Sequence, residues 1–123
     1  MKIKRCIFFS ITFFALGITG CYYDVEEELY PAVECDTQSV SYSGTVQPLL
    51  SGNCYVCHSA AVNTAGITLE GYNNLKMYVD NGRFLGAIQH QPGFSPMPQG
   101  AAQLPECDIL KIEQWITDGA PNN

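Results

Sequence analysis

A chain of 123 residues has room for one domain and not for two comfortable cores. Its 12 acidic side chains outnumber its 6 basic ones, which excludes a protein that tracks nucleic-acid phosphates, since those contacts need Lys and Arg.

The chain opens on Lys2, Lys4 and Arg5, followed by the apolar run CIFFSITFFALGI. A basic start, a short apolar stretch and a small-residue site form a secretory signal. The run falls short of the roughly 20 residues of a spanning helix, so an uncleaved anchor is the poorer reading. The signal ends in ITGC, from Ile18 to Cys21. This resembles the bacterial lipobox, with Gly20 and Cys21 where that pattern needs them. The resemblance implies cleavage after residue 20 and acylation of Cys21, and more than one acyl chain gives a stable membrane hold. Ordinary cleavage nearby, with Cys21 a plain residue, is the alternative. On this reading the protein is exported to the bacterial cell envelope and held on a membrane, facing the periplasm or the cell surface. Without residues 1–20 the chain keeps Lys76, Arg83 and Lys111 against all twelve acids, a balance of −9, which favours a basic partner surface.

Residues 21–42 are acidic, include a proline and show no sustained period, so they read as a tether. The folded domain is expected over 43–123. SGTVQPLLSGNC offers Ser43 or Thr45 as a helix cap, with Val46, Leu49 and Leu50 at core spacing and Pro48 in the first turn. CYVCHSA continues as a short helical turn, and AGITLEGY is irregular. YNNLKMYVDNG predicts a helix with Tyr72, Leu75 and Val79 on one face, Met77 among the core residues and Gly82 at its end. RFLGAIQH predicts a further helical piece. The prolines and glycines of QPGFSPMPQGAAQLP predict a loop. PECDILKIEQWITDG predicts the clearest helix. Pro105 opens it, Glu106 and Asp108 lie in its positive first turn, and Gly119 closes it. Ile109, Ile112 and Ile116 form its apolar stripe, with Trp115 beside it. No internal repeat and no strand pair is visible, so the fold reads as all-α with long loops.

The chain has 6 cysteines. Cys6 leaves with the signal, Cys21 is the lipid site, and Cys54 and Cys57 share the motif CYVCH. Cys35 and Cys107 remain, and in an oxidising compartment one disulfide between them is the simplest reading, with two buried free thiols as the alternative.

CYVCH has three chemical readings. Structural zinc needs four protein ligands, and Cys54, Cys57 and His58 supply at most three. A dithiol oxidoreductase places C-x-x-C at a helix start inside a βαβ pattern, and no parallel strands are predicted. Covalent haem attachment fits best. One helical turn spaces two thiols for the two vinyl groups, and the next residue turns its imidazole toward iron from the same side. A second axial ligand could come from Met97, His90 or Met77. Met97 lies in SPMPQG, where prolines stiffen the backbone on both sides. Met77 reads as core packing, and His90 reads as a solvated or propionate-bonded imidazole.

With CYVCH, SPMP and the closing IEQWITDGAPNN in view, the chain resembles class I c-type cytochromes, and most of all small bacterial, planctomycete-type cytochrome c domains. Those end in a W-I-x-x-G-A pattern, here Trp115, Ile116, Gly119 and Ala120. The resemblance covers 43–123. It implies one covalent haem c bound through Cys54 and Cys57, with His58 as proximal and Met97 as distal iron ligand. The implied fold is a few helices wrapped on the haem, with the first and last helices crossing. Leu49, Leu69, Leu85, Ile88 and Phe94 are candidate pocket residues. The expected role is a membrane-tethered electron carrier for redox proteins with a basic docking surface, with no catalytic residue. A haem-based gas or redox sensor, or a peroxidase-like enzyme with a displaceable Met97, is the alternative. The distal loop has no lysine beside Met97 and the surface is acidic, which argues against a mitochondrial-type partner.

Overall fold

The computed structural model describes residues 35–123; residues 1–34, with the expected signal peptide, Cys21 and most of the tether, lie outside the described residues. Every regular element among the described residues is helical, and none of those helices is long and apolar enough to cross a membrane. A π-helical turn, Tyr42–Val46, runs into α1, Gln47–Asn53. The short α2, Tyr55–His58, follows after a kink at Cys54. A 3-10 turn, Thr64–Gly66, leads to α3, Tyr72–Asp80, and α4, Arg83–Ile88. A long loop then reaches α5, Glu106–Thr117. By their contacts, residues 35–123 belong to one unit.

The first helical stretch is held by a stripe of Tyr42, Val46 and Leu50, four residues apart and all buried. Its cap is Ser41 rather than Ser43 or Thr45: the Ser41 hydroxyl accepts from the Gly44 amide at 3.0 Å. The helix therefore starts earlier than the hydrophobic spacing implies. The amides of Tyr42 and Ser43, orphaned at a helix start, donate to the Asn123 side-chain oxygen and carbonyl, each at 2.9 Å. One residue, Asn123, 81 positions from Tyr42, thus shapes an end that local sequence cannot fix.

The last helix crosses near this first one. Its buried stripe is Ile109, Ile112 and Trp115, with Ile116 only half-buried, so Trp115 replaces Ile116 as the anchor. The Trp115 side chain is 0 % exposed. Its indole N–H donates to the Pro121 carbonyl at 2.9 Å, which removes the penalty of burying that donor. Tyr42 lies tilted against the indole at 6.0 Å and edge-on to Tyr72 at 5.3 Å. The Tyr72 hydroxyl donates to the Ala120 carbonyl at 2.8 Å. Helix α5 stops as predicted at Gly119, whose φ of 93° lies in the region glycine tolerates. The Gly119 amide donates to Ile116 and the Ala120 amide to Trp115, a Schellman motif.

Helix α3 turns Leu75 and Val79 into the core with Tyr72 half-buried, as the spacing predicts. Met77 does not join them: it is 58 % exposed. Two residues from either core position, it stands on the opposite side of a helix that advances 3.6 residues per turn.

Cys35 and Cys107 are joined by a disulfide, their Cα atoms 5.4 Å apart and their positions separated by 72 residues. The bridge fastens the segment ahead of the first helix to the first turn of α5. Closing a loop of that size removes about 4 kcal/mol of unfolded-chain entropy.

Trp115→Ala should cost about 3–5 kcal/mol of stability, whereas Met77→Ala should stay within about 0.5 kcal/mol. Urea unfolding followed by far-UV circular dichroism checks both. A large loss at Met77 would contradict its exposed position.

Candidate functional site

Cys54, Cys57 and His58 fall on one turn. The Cys54 carbonyl accepts from the Cys57 amide at 3.1 Å and the His58 amide at 2.8 Å, and the Cys54 amide donates back to Leu50 at 2.8 Å. The turn is thus a kinked continuation of α1, set by the buried Leu50. Both thiols are free; Cys54 is half-buried and Cys57 exposed, and Val56 between them is 76 % exposed. Burial pushes the Cys54 thiol up to about 11. A redox dithiol needs the opposite, a thiolate favoured near neutrality. Among the described residues no three His, Cys, Asp or Glu side chains gather as a metal-holding group, so the four-ligand zinc reading gains no partner for this turn.

His58 is buried at 9 % exposure. Its Nδ1 lies 3.1 Å from the Ile67 carbonyl oxygen. A carbonyl can only accept, so Nδ1 carries a proton, and the tautomer this selects has its lone pair on Nε2. The His58 backbone is tied to the same segment, with the Leu69 amide donating to its carbonyl at 2.8 Å. The irregular stretch after the motif therefore fixes both the ring and the main chain of His58. Glu70 extends the tie by accepting from the Ala60 amide at 2.8 Å. The roles of Ile67 and Leu69 carry no sequence signal, because they act through main-chain atoms.

Tyr55, inside the motif, has a buried hydroxyl with no hydrogen-bond partner. Burial raises its phenol above the ordinary value, and the neighbouring Tyr42 hydroxyl adds to the effect.

Met97 sits half-buried in the loop after α4. A six-residue helix leaves most of its carbonyls without helical donors, and the loop supplies them. The Gly86 carbonyl accepts from the Gln91 amide at 2.9 Å and the Ala87 carbonyl from the Met97 amide at 3.0 Å. The Ile88 carbonyl accepts from the Gln103 side-chain amide at 3.0 Å. The Phe94 ring rests on Gly86 so closely that a Cβ there would meet it at 2.6 Å. His90 is neither solvated on all sides nor free: its Nε2 lies 3.0 Å from the Met97 carbonyl oxygen. These bonds tie Met97 to α4; none of them reaches α2. Of the candidate pocket residues, Leu69 and Ile88 are buried, Leu49 and Leu85 half-buried, and Phe94 exposed at 37 %.

Neither a protein-family model, nor a curated protein, nor a solved structure matches this chain.

In haem-free protein, where both thiols are free, a thiol alkylator at neutral pH should modify Cys57 first. A thiol with a raised pKa stays protonated and unreactive until the pH approaches it, so Cys54 should react only as the pH climbs toward about 11. Peptide mass spectrometry after timed alkylation distinguishes them, and equal rates at neutral pH would contradict the buried Cys54.

Proposed function

We propose that the protein is a single-haem c-type cytochrome that carries electrons at a bacterial membrane. Cys54 and Cys57 would hold the haem as thioethers, and His58 Nε2 and Met97 Sδ would hold its iron. The observation that carries the reading is the His58 ring: its Nδ1–H is committed to Ile67, which leaves Nε2 bare one residue after two free thiols on the same turn. A metal-binding histidine held by a hydrogen bond on its other nitrogen is the usual arrangement, because it fixes tautomer and orientation. Both thiols are free of a disulfide, so both are available for the thioether bonds that a haem's two vinyl groups would make. A haem c held there supplies one-electron exchange between Fe(II) and Fe(III).

The chain's own residues would do the rest. The tie from His58 to Ile67 and Leu69 keeps the imidazole from rearranging, and the bonds from α4 keep the Met97 main chain in place. A thioether ligand favours Fe(II) and raises the potential above that of a bis-imidazole site. The described residues carry Lys76, Arg83 and Lys111 against seven acids. Lys76 is paired with Asp80, and Arg83 lies over the Tyr78 ring at 5.8 Å. That surface suits a basic redox partner, with encounter rates that fall as salt rises. The lipobox-like ITGC supports a lipid tether at Cys21, which lies outside the described residues.

The test is a spectrum of the purified protein in alkaline pyridine. Thioether-bound haem is expected in the wild type and absent from a Cys54→Ser, Cys57→Ser double variant. A wild type without covalent haem sinks the proposal. Ferrous protein that binds CO readily at neutral pH would instead favour a ligand-sensing or peroxidase-like role.

A further inference from the structure

Met97 is gripped on both of its backbone polar groups by the end of α4 and the turn that leaves it. Its amide donates to the Ala87 carbonyl at 3.0 Å, and its carbonyl accepts from His90 Nε2 at 3.0 Å. A carbonyl oxygen has no proton to give, so Nε2 is the donor. His90 itself stands at φ 54°, in the left-handed region that non-glycine residues occupy uncommonly. Such strain persists only where surrounding structure holds it, and it concentrates at functional positions. Here two features hold it: the His90 amide donates to Ala87 at 3.2 Å, and the ring bond reaches across to Met97.

We infer that His90 is the positioning residue for Met97, setting the main chain from which the thioether reaches. The inference rests on the proposed function, because it is Met97 as an iron ligand that gives the grip a purpose. A thioether is a weak ligand, and a loop free to drift loses it readily. The Ala87 bond fixes one side of the Met97 Cα, while the other side is restricted only by the following Pro98. The His90 bond anchors that side to the rest of the chain, so the backbone of Met97 is held at both ends while its side chain is left unengaged by either bond. Because the His90 ring is exposed, its bond adds little to global stability. Its effect should be local, roughly two- to tenfold in the population of the ligated loop.

The experiment uses the full-length haem-loaded protein and the variants His90→Ala, His90→Gln and Met97→Ala. Four quantities are read: the red charge-transfer band of sulfur-ligated ferric haem, ferrous CO affinity, hydrogen exchange at the Met97 amide, and the urea midpoint. The expected result for His90→Ala is roughly two- to tenfold tighter CO binding, a weaker band and faster Met97 exchange, with the urea midpoint unchanged. In His90→Gln, whose amide nitrogen can stand in for Nε2, these properties should return toward wild type. Met97→Ala should lose the band entirely. If Met97→Ala loses the band while His90→Ala changes neither CO affinity nor Met97 exchange, the positioning role is wrong and the ligand assignment stands. If His90→Ala lowers the urea midpoint and His90→Gln rescues nothing, His90 is merely structural and the inference is overturned. If the band survives in Met97→Ala, the ligand assignment itself fails and the inference goes with it.

Discussion

The burial of Trp115 is the contact on which the other elements depend. It draws α5 against the first helical turn through Tyr42. The turn back after α5 then supplies the carbonyl that the indole needs. The same turn gives Tyr72 its acceptor and brings Asn123 to the open amides of the first helix. One side chain thus connects the first, third and last helices. In a unit this small a single core anchor counts for more, because a small domain buries a smaller share of its surface than a large one. The Cys35–Cys107 bridge works on the same pair of elements from the other end of α5.

Around that frame, His58 and Met97, the two residues proposed to hold an iron, are held by a common device. Each belongs to a short helix or to the loop leaving one, where helix ends offer unsatisfied main-chain groups. His58 is fixed by Ile67 and Leu69, and Met97 by Ala87 and His90. The partners are mainly backbone atoms, so the holding geometry depends on where the chain passes rather than on which side chains it carries. Short helices are useful here for the reason that makes them weak alone: their end groups must find partners elsewhere.

Much of the helical order was legible from local signals. Pro105, the acids after it and Gly119 delimit α5 because capping is a matter of a few neighbouring residues. The motif turn was legible for the same reason. Structure and local pattern part where groups beyond the local sequence decide. Ser41 caps the first helix because Asn123 takes the next amides. Met77 faces out because its helix packs on one side only. His90 has no sequence pattern that points to Met97, since the bond depends on the loop folding back onto α4.

By itself the sequence determined the helical class, the pairing of thiols and imidazole on one turn, and the two cysteines left for a bridge. Those are properties of spacing along a chain and of counting. Only the tertiary structure decided which nitrogen of His58 is free, which thiol is buried, and what holds Met97. Each of these depends on a group far along the chain reaching hydrogen-bonding or van der Waals distance, and such approaches are set by how the helices pack.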